Sequence, residues 1–110
     1  MTYAVKQVHK HTKPVDAGEA LPIQLQVTDA SGNDLSSANL TVTAVALIGP
    51  NGNTITPTAK GHANPGNVFR HTDSGYLYNL DTAGLTDGTY TLLVRVGNDP
   101  VLHAISFVVE

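Results

Sequence analysis

Apolar and polar residues alternate along most of this chain, and this period of two constrains the fold more than any other feature. In residues 21–28 (LPIQLQVT), Leu, Ile, Leu and Val occupy every second position. Successive side chains of a β-strand point to opposite faces, so this alternation predicts a strand with one buried and one polar face. No stretch has the three- and four-residue spacing of an amphipathic helix. The chain is therefore predicted to be all-β.

Further candidate strands follow at short intervals along the chain. They lie at residues 40–48, 54–58, 68–71, 76–80, 89–96 and 101–109, separated by segments rich in Gly, Asn, Asp and Pro. Short strands with a turn every 8–12 residues or so are typical of two packed antiparallel sheets. We therefore predict an immunoglobulin-like antiparallel β-sandwich of seven to eight strands.

Three of these strands leave alternatives open. Residues 40–48 (LTVTAVALI) are apolar enough that either alternate set of side chains is a credible inward face. Residues 54–58 are a weaker candidate, and Pro57 predicts an edge position because it has no N–H for a central ladder. Tyr76 and Tyr78 share one strand face. We expect them in the core, because aromatic residues in strands are mostly buried, with an exposed sugar-stacking platform as the alternative.

The segment before the strand at residues 89–96 has the pattern of a tyrosine corner. In immunoglobulin-like sandwiches, a Tyr near the start of this strand bonds through its hydroxyl to backbone a few residues upstream. Tyr90 is placed for that bond, Leu85 for closing the bottom of the core, and Gly88 for the bend between them. All three are predicted to be structural.

Length and composition limit the domain organisation and the class of function. The 110 residues fit one domain, which we place at residues 14–110; residues 1–13 are an N-terminal segment or linker, or alternatively a first edge strand. Only six Lys and Arg stand against nine Asp and Glu, which excludes a basic nucleic-acid-binding protein. The absence of Cys excludes disulfides and thiolate ligands. No apolar run is long enough for membrane insertion.

Several segments together resemble the bacterial Ig-like module known as the PxKF domain. They are residues 16–25 (DAGEALPIQL), 28–33 (TDASGN), 76–82 (YLYNLDT), 84–91 (GLTDGTYT) and 103–107 (HAISF). The similarity extends from about residue 15 to residue 109. It departs at the tetrapeptide that names the family, where Gln24 and Leu25 replace Lys and Phe. Leu25 still suits an inward position.

The resemblance implies an accessory module of a secreted or cell-surface bacterial protein, beside hydrolase domains or in tandem. Its partners would be the neighbouring domains of the parent chain, with a cell-surface protein or a glycan as further candidates. The family has no attributed catalytic residues, so we expect no enzyme activity and no cofactor. Residues 1–6 lack the apolar segment of a signal peptide, so a secreted form would take its signal from a longer parent chain.

The candidate metal ligands are His9 and His11. Two imidazoles at positions i and i+2 of an extended segment point the same way and suit Cu or Zn. A tight site needs a further ligand, for which His62, His71 and His103 are the candidates. Because the sequence does not bring these residues together, an unstructured linker is the favoured interpretation and no metal is assigned.

Residues 29–34 (DASGND) and the carboxylates offer little more chemistry. Oxygen-bearing side chains alternate around Gly32 as in a calcium loop, but the closing Glu of such a loop is absent. An ordinary turn is the prediction, because Asp and Asn bond their own backbone there. The only Glu residues are Glu19 and Glu110, and nothing places a pair of carboxylates in one pocket.

Three functions remain compatible with the sequence. The first is a spacer or interaction module with a neutral polar face. That face would comprise Gln24, Gln26, Thr41, Thr43, Thr89 and Thr91. The second is a module that binds a glycan or a surface protein through loops at residues 49–53 and 61–67 of one end. The third is a metal-binding sandwich that uses His9 and His11.

Overall fold

The structure, a computed structural model, describes residues 3–7, 14–61, 64–73 and 75–110. It contains eight strands in two antiparallel four-stranded sheets, which confirms the predicted β-sandwich. The strands are β1 (Ala4–Gln7), β2 (Ala20–Thr28), β3 (Val42–Ile48), β4 (Thr54–Ile55), β5 (Arg70–Thr72), β6 (Gly75–Asp81), β7 (Gly88–Val96) and β8 (Leu102–Val109). A single 3-10 turn covers Pro65–Asn67 within these described residues.

The order of the strands is immunoglobulin-like. The first sheet has the order β1-β2-β6-β5 and the second has the order β4-β3-β7-β8. Two sheets of this kind, with the second extended by a short edge strand beside β3, correspond to the constant-type arrangement plus one strand. The expected boundary between residues 13 and 14 stays a prediction, although Ala4–Gln7 pairs with β2 as an edge strand.

The core follows the alternation that the sequence predicts. In β2, Ile23, Leu25 and Val27 are fully buried, and the intervening Gln24 and Gln26 lie on the outer side of the strand. Burial of each aliphatic side chain contributes about 1.5–3 kcal/mol to folding. The buried apolar side chains form one continuous cluster, which fills the space between the two sheets.

The tyrosines of β6 are in this core, as predicted. Tyr76 and Tyr78 are both essentially inaccessible to solvent, and Tyr78 stacks on Phe69 with ring centroids 5.1 Å apart. The hydroxyl of Tyr76 bonds to the backbone of Ser37 in the β2–β3 connection. The alternative of an exposed aromatic platform on β6 is therefore excluded.

A β-bulge explains why the inward face of β3 was ambiguous. The pairing of β3 with β7 shifts register between Ala44 and Ala46. Val42 and Ala44 point into the core before the bulge, and Leu47 points into it afterwards. One extra residue reverses the parity of a strand, so each of the two candidate faces is correct for half of β3.

The predicted strands at residues 54–58 and 68–71 need correction. Only Thr54–Ile55 pairs as a strand, and Pro57 is buried beyond it. Val68 pairs with Thr43 of the second sheet, whereas Arg70–Thr72 pairs with β6 of the first. The segment crosses from one sheet to the other within two residues, which the continuous β-prone sequence does not indicate.

The tyrosine corner is confirmed. The Tyr90 hydroxyl donates to the Thr86 carbonyl oxygen at 2.8 Å, and the Tyr90 ring stacks on Phe107. Leu85 is partly buried and packs against the core. Gly88 has φ 146°, and a Cβ atom there would collide with the ring of Pro50, so glycine is required at the bend.

The described chain enters and leaves at opposite ends of the sandwich. We call the end that carries the β7–β8 hairpin of residues 97–100 the upper end, and the other end the lower end. Ala4 pairs with Thr28 at the upper end, and Val109 pairs with Gly88 at the lower end. The longest extent of the molecule is 36 Å.

A second contact ties the N-terminal part of the domain to the last strand at the lower end. Val15 forms an isolated parallel bridge with Val109. The Val15 N–H donates to the Val108 carbonyl oxygen at 2.9 Å, and the Glu110 N–H donates to the Val15 carbonyl oxygen at 3.0 Å. The chain thus pairs first with β2 of one sheet and then with β8 of the other.

Candidate functional site

The structure does not bring the candidate metal ligands together. His9, His11 and His62 lie outside the described residues. His71 lies on the edge strand of the first sheet, edge-on to Tyr76, and His103 lies on the edge strand of the second sheet. The Nε2 atom of His103 is buried without a hydrogen-bond partner. The residues that the structure describes contain no group of three or more His, Asp or Glu suited to a metal ion.

The segment at residues 29–34 is a turn, as predicted. The Asp29 carboxylate accepts hydrogen bonds from the backbone N–H groups of Ser31 and Asn33, each at 2.9 Å, and from the Asn33 side-chain amide at 3.0 Å. These bonds, led by the Asn33 amide, hold the pKa of Asp29 below its ordinary value. The carboxylate is therefore used to shape the loop, which is the role of Asp in such turns.

Asp34 has a similar structural role. Its carboxylate accepts the Ser36 backbone N–H at 2.9 Å, and this bond lowers the pKa of Asp34. A half-buried Ser36 hydroxyl in turn accepts the N–H of Val27 at the end of β2. The acidic side chains of the β2–β3 connection thus fix its path.

The two loops expected to bind a ligand do not lie together at one end. Residues 49–53 join β3 to β4 at the lower end. Residues 61–67 belong to the connection from β4 to β5, which reaches the upper part of β3 at Val68. That expectation is wrong, because this connection crosses between the sheets along their edge.

Asn64 anchors this crossing segment. Its side-chain amide donates to the carbonyl oxygens of Val68 at 3.0 Å and Leu77 at 2.9 Å, and its side-chain oxygen accepts the Asn79 N–H at 3.0 Å. Asn64 is buried, and its side chain forms hydrogen bonds with backbone groups of this segment and of β6.

The neutral polar face proposed from the sequence is not a single surface. Gln24 and Gln26 lie on the outer side of β2 in the first sheet, whereas Thr43, Thr89 and Thr91 belong to β3 and β7 of the second sheet. The outer sides of two packed sheets face in opposite directions, so these residues cannot meet one partner together. The prediction of one continuous face is therefore wrong.

The described residues form a groove at the upper end of the sandwich. It has a volume of about 840 Å³. The walls come from Tyr3, the end of the β2–β3 connection at Asn39–Thr41, the facing residues Thr43 and Arg95, and the hairpin at Gly97–Pro100. The groove opens from the upper end onto the outer side of the second sheet.

The walls of the groove are held in place by backbone hydrogen bonds. The Gly97 N–H donates to the Thr41 carbonyl oxygen at 2.6 Å, which joins the hairpin to the β2–β3 connection. Further back, the Tyr76 hydroxyl accepts the Ser37 N–H at 2.9 Å and donates to the Ser37 carbonyl oxygen at 2.8 Å. The loops that line the groove are thereby fixed to the core.

The groove was not found from the sequence, because its walls come from three segments far apart in the chain. Each segment alone has ordinary turn residues. In the sequence, residues 97–100 (GNDP) indicate only a turn, and Tyr3 lies in the segment that is predicted as a linker or, alternatively, an edge strand. Pairing of β3 with β7 and of β1 with β2 brings the segments to one end.

Comparisons of the chain with protein-family models, with curated proteins and with solved structures found no match. The resemblance to the PxKF family therefore stays a prediction. Among the residues that the structure describes, no helix is long and apolar enough to span a membrane.

Proposed function

We propose that the chain is a non-catalytic, immunoglobulin-like structural module of a larger secreted or cell-surface bacterial protein, where it acts as a spacer or interaction domain between neighbouring domains. The observation that carries this proposal is the exit of the two chain ends from opposite ends of the sandwich. Neighbours attached at the two ends would be held apart by the sandwich, whose longest extent is 36 Å. The bacterial and extracellular parts of the proposal derive from the PxKF resemblance.

The internal hydrogen bonds support a rigid module. Three buried tyrosines, Tyr76, Tyr78 and Tyr90, each bond a loop to a strand. Thr82, also buried, accepts the Gly18 N–H and donates to the Glu19 carbonyl oxygen, which ties the β1–β2 connection to the end of β6. A spacer needs such fixed loops, because mobile connections would not transmit orientation between neighbours.

The ends of the chain are also suited to tension. If the termini are pulled apart and β1 separates from β2, the load passes to Val15 and the end of β8. These two segments run parallel, so tension draws them past one another and loads their two hydrogen bonds together. We expect this contact to set part of the resistance of the module to force.

Single-molecule stretching of the chain between two marker domains tests the proposal. A spacer should unfold in one event that lengthens the chain by about 330 Å. Val15→Pro removes the N–H that bonds to Val108, and should lower the unfolding force. Val101→Pro is the matched control: it also follows a proline and loses one bond, to Asp99, but it lies at the upper end.

Val15→Pro should lower the unfolding force more than Val101→Pro does, even if both variants have the same free energy of unfolding. An unfolding force that falls equally in both variants would contradict the role of the lower-end contact. Small-angle X-ray scattering of the same fusion tests the spacing itself. A separation of the markers shorter than the length of the sandwich would refute the in-line arrangement.

A further inference from the structure

We propose that the groove at the upper end binds a saccharide that carries a carboxylate group. This inference is independent of the spacer function. The volume of the groove, about 840 Å³, lies within the range of small-molecule sites, which is about 300–1,000 Å³. The choice of ligand rests on the chemistry of the side chains that line the groove.

Most of the polar side chains in the groove have no partner of their own. The amides of Asn39 and Asn98 and the hydroxyls of Thr41 and Thr43 enter no side-chain hydrogen bond within the described part of the chain. Amide and hydroxyl groups both donate and accept, as the hydroxyl groups of a sugar do. Four such groups around one concavity match a polyhydroxylated ligand.

Tyr3 adds an aromatic surface to this polar lining. Tyr3 is half-buried against the core and is one of the residues that line the groove. A tyrosine offers a large, amphipathic contact at little cost in conformational entropy. A sugar ring presents an apolar C–H face together with hydroxyl groups at its rim, and this combination fits a Tyr flanked by amides and hydroxyls.

Arg95 supplies the preference for a carboxylate. It projects from the outer side of β7 opposite Thr43, is exposed, and forms no ion pair or side-chain hydrogen bond with any described residue. A guanidinium group binds a carboxylate through two parallel hydrogen bonds. The other charged group of the lining is Asp99, whose Oδ1 atom accepts the Val101 N–H at 3.1 Å. Its negative charge remains, so the ligand carboxylate would bind at Arg95, and the second Asp99 oxygen would accept a hydrogen bond from a hydroxyl group of the sugar.

A peptide is the less suitable ligand for this surface. Peptide recognition relies on an exposed sheet edge or on apolar pockets for side chains. The apolar members of the lining, Leu40 and Pro100, are few, and the strands beside the groove, β3 and β7, are paired with each other. The groove therefore favours hydroxyl groups over a peptide chain.

The proposal is tested by titrating the ¹⁵N-labelled chain with a trimer of galacturonic acid, with galactotriose as the neutral control. The acidic trimer should shift backbone resonances at residues 39–43 and 95–100, and galactotriose should bind at least about tenfold more weakly. A carboxylated tripeptide of equal net charge is the third probe. It should shift the same residues only at much higher concentration.

Two matched substitutions locate the carboxylate. Arg95→Gln should weaken binding of the acidic trimer by about tenfold or more, because a charge-assisted pair is lost. Arg70→Gln, at the other exposed arginine of the chain, lies on the first sheet and should leave the affinity unchanged. Both residues are exposed, and unchanged circular dichroism spectra verify that each variant is folded.

Several results would overturn the proposal. Absence of shifts at residues 39–43 and 95–100 would exclude a saccharide site in the groove. Equal affinity for the neutral trimer, or equal loss in the Arg95 and Arg70 variants, would exclude recognition of the carboxylate by Arg95. A tripeptide that binds as tightly as the acidic trimer would show that the groove recognises charge and not a sugar.

Discussion

Replacement of Tyr76 by Phe should destabilise the fold more than the same replacement at Tyr90. The Tyr76 hydroxyl accepts the Ser37 N–H at 2.9 Å and donates to the Ser37 carbonyl oxygen at 2.8 Å, so Tyr76→Phe removes two hydrogen bonds. The ring itself stays in the core, where Tyr76 is 2% exposed. The change therefore deletes polar contacts and leaves the apolar packing intact.

The expected cost follows from the two bonds. Each contributes about 0.5–1.5 kcal/mol net, which gives a loss of about 1–3 kcal/mol in the free energy of unfolding. The upper half of this range is expected, because Ser37 is half-buried and water reaches its backbone only in part. For a domain of this size, the loss corresponds to a decrease in Tm of about 4–12 °C.

Tyr90→Phe is the matched control for this measurement. The Tyr90 hydroxyl donates to the carbonyl oxygen of Thr86 at 2.8 Å and lies 3.3 Å from the Thr86 hydroxyl. Thr86 is exposed, so water can replace the second contact, and the loss should cost only about 0.5–1.5 kcal/mol. Urea unfolding followed by far-ultraviolet circular dichroism suits both variants, since the chain has no Trp. If Tyr76→Phe costs no more than Tyr90→Phe at equal m-values, the reasoning from the two bonds to Ser37 is wrong.

Three further predictions concern pH and backbone conformation. Burial raises the pKa of Tyr78 to about 12 from 10.0. The stability that the neutral Tyr78 hydroxyl contributes to the fold is therefore complete below pH 10 and is lost as the pH rises through 12. The difference in urea midpoint between the wild type and Tyr78→Phe should therefore shrink between pH 8 and 11.5, and a constant difference would contradict the raised pKa. Asn33→Ala should raise the pKa of Asp29 towards 3.8, which a ¹³C NMR titration measures. In the wild type this carboxylate stabilises the fold above pH 3.8 and loses its effect as the pH falls through its lowered pKa; an unchanged pKa in the variant would refute the role of the amide. Gly75→Ala should cost about 2–4 kcal/mol, because φ is 129° and a Cβ atom would meet a carbonyl oxygen of β2. Gly52→Ala, with φ 81° and open space around it, should cost about 1 kcal/mol, and equal costs would show that the collision is relieved.

The strands and the corner were predictable because their signals are local. The inward residues of β2 and β8 follow one parity over their whole length, and Tyr90 lies at a fixed offset from Thr86. Such patterns depend only on the geometry of a strand or a turn. They need no knowledge of which strands become neighbours.

The failures of prediction lie where the path of the chain depends on its neighbours. The bulge between Ala44 and Ala46 is set by the pairing of β3 with β7, and both parities remain apolar in the sequence. At Val68 and Arg70, two sheet edges compete for the same β-prone segment, and each takes one part of it. Strand propensity is similar for the alternatives in both cases, so the pairing is determined only by the contacts between the assembled strands.

The groove could not be predicted for a related reason, which concerns polar side chains. Asn64 and Asn98 are the same residue type in similar Gly- and Pro-rich surroundings, yet Asn64 is buried with three hydrogen bonds to backbone, and Asn98 lines the groove with an amide that bonds no described residue. The sequence does not distinguish a polar side chain that forms hydrogen bonds within the fold from one that is free to bind a ligand. In such a sandwich, a binding site is indicated where the backbone is fixed and the polar side chains form no hydrogen bonds within the fold. The part of the groove around Asn98 and Arg95 has both features, because the hairpin is hydrogen-bonded to Thr41. A ligand would then bind without the entropic cost of ordering a loop, which is the physical reason to test this end of the molecule for binding.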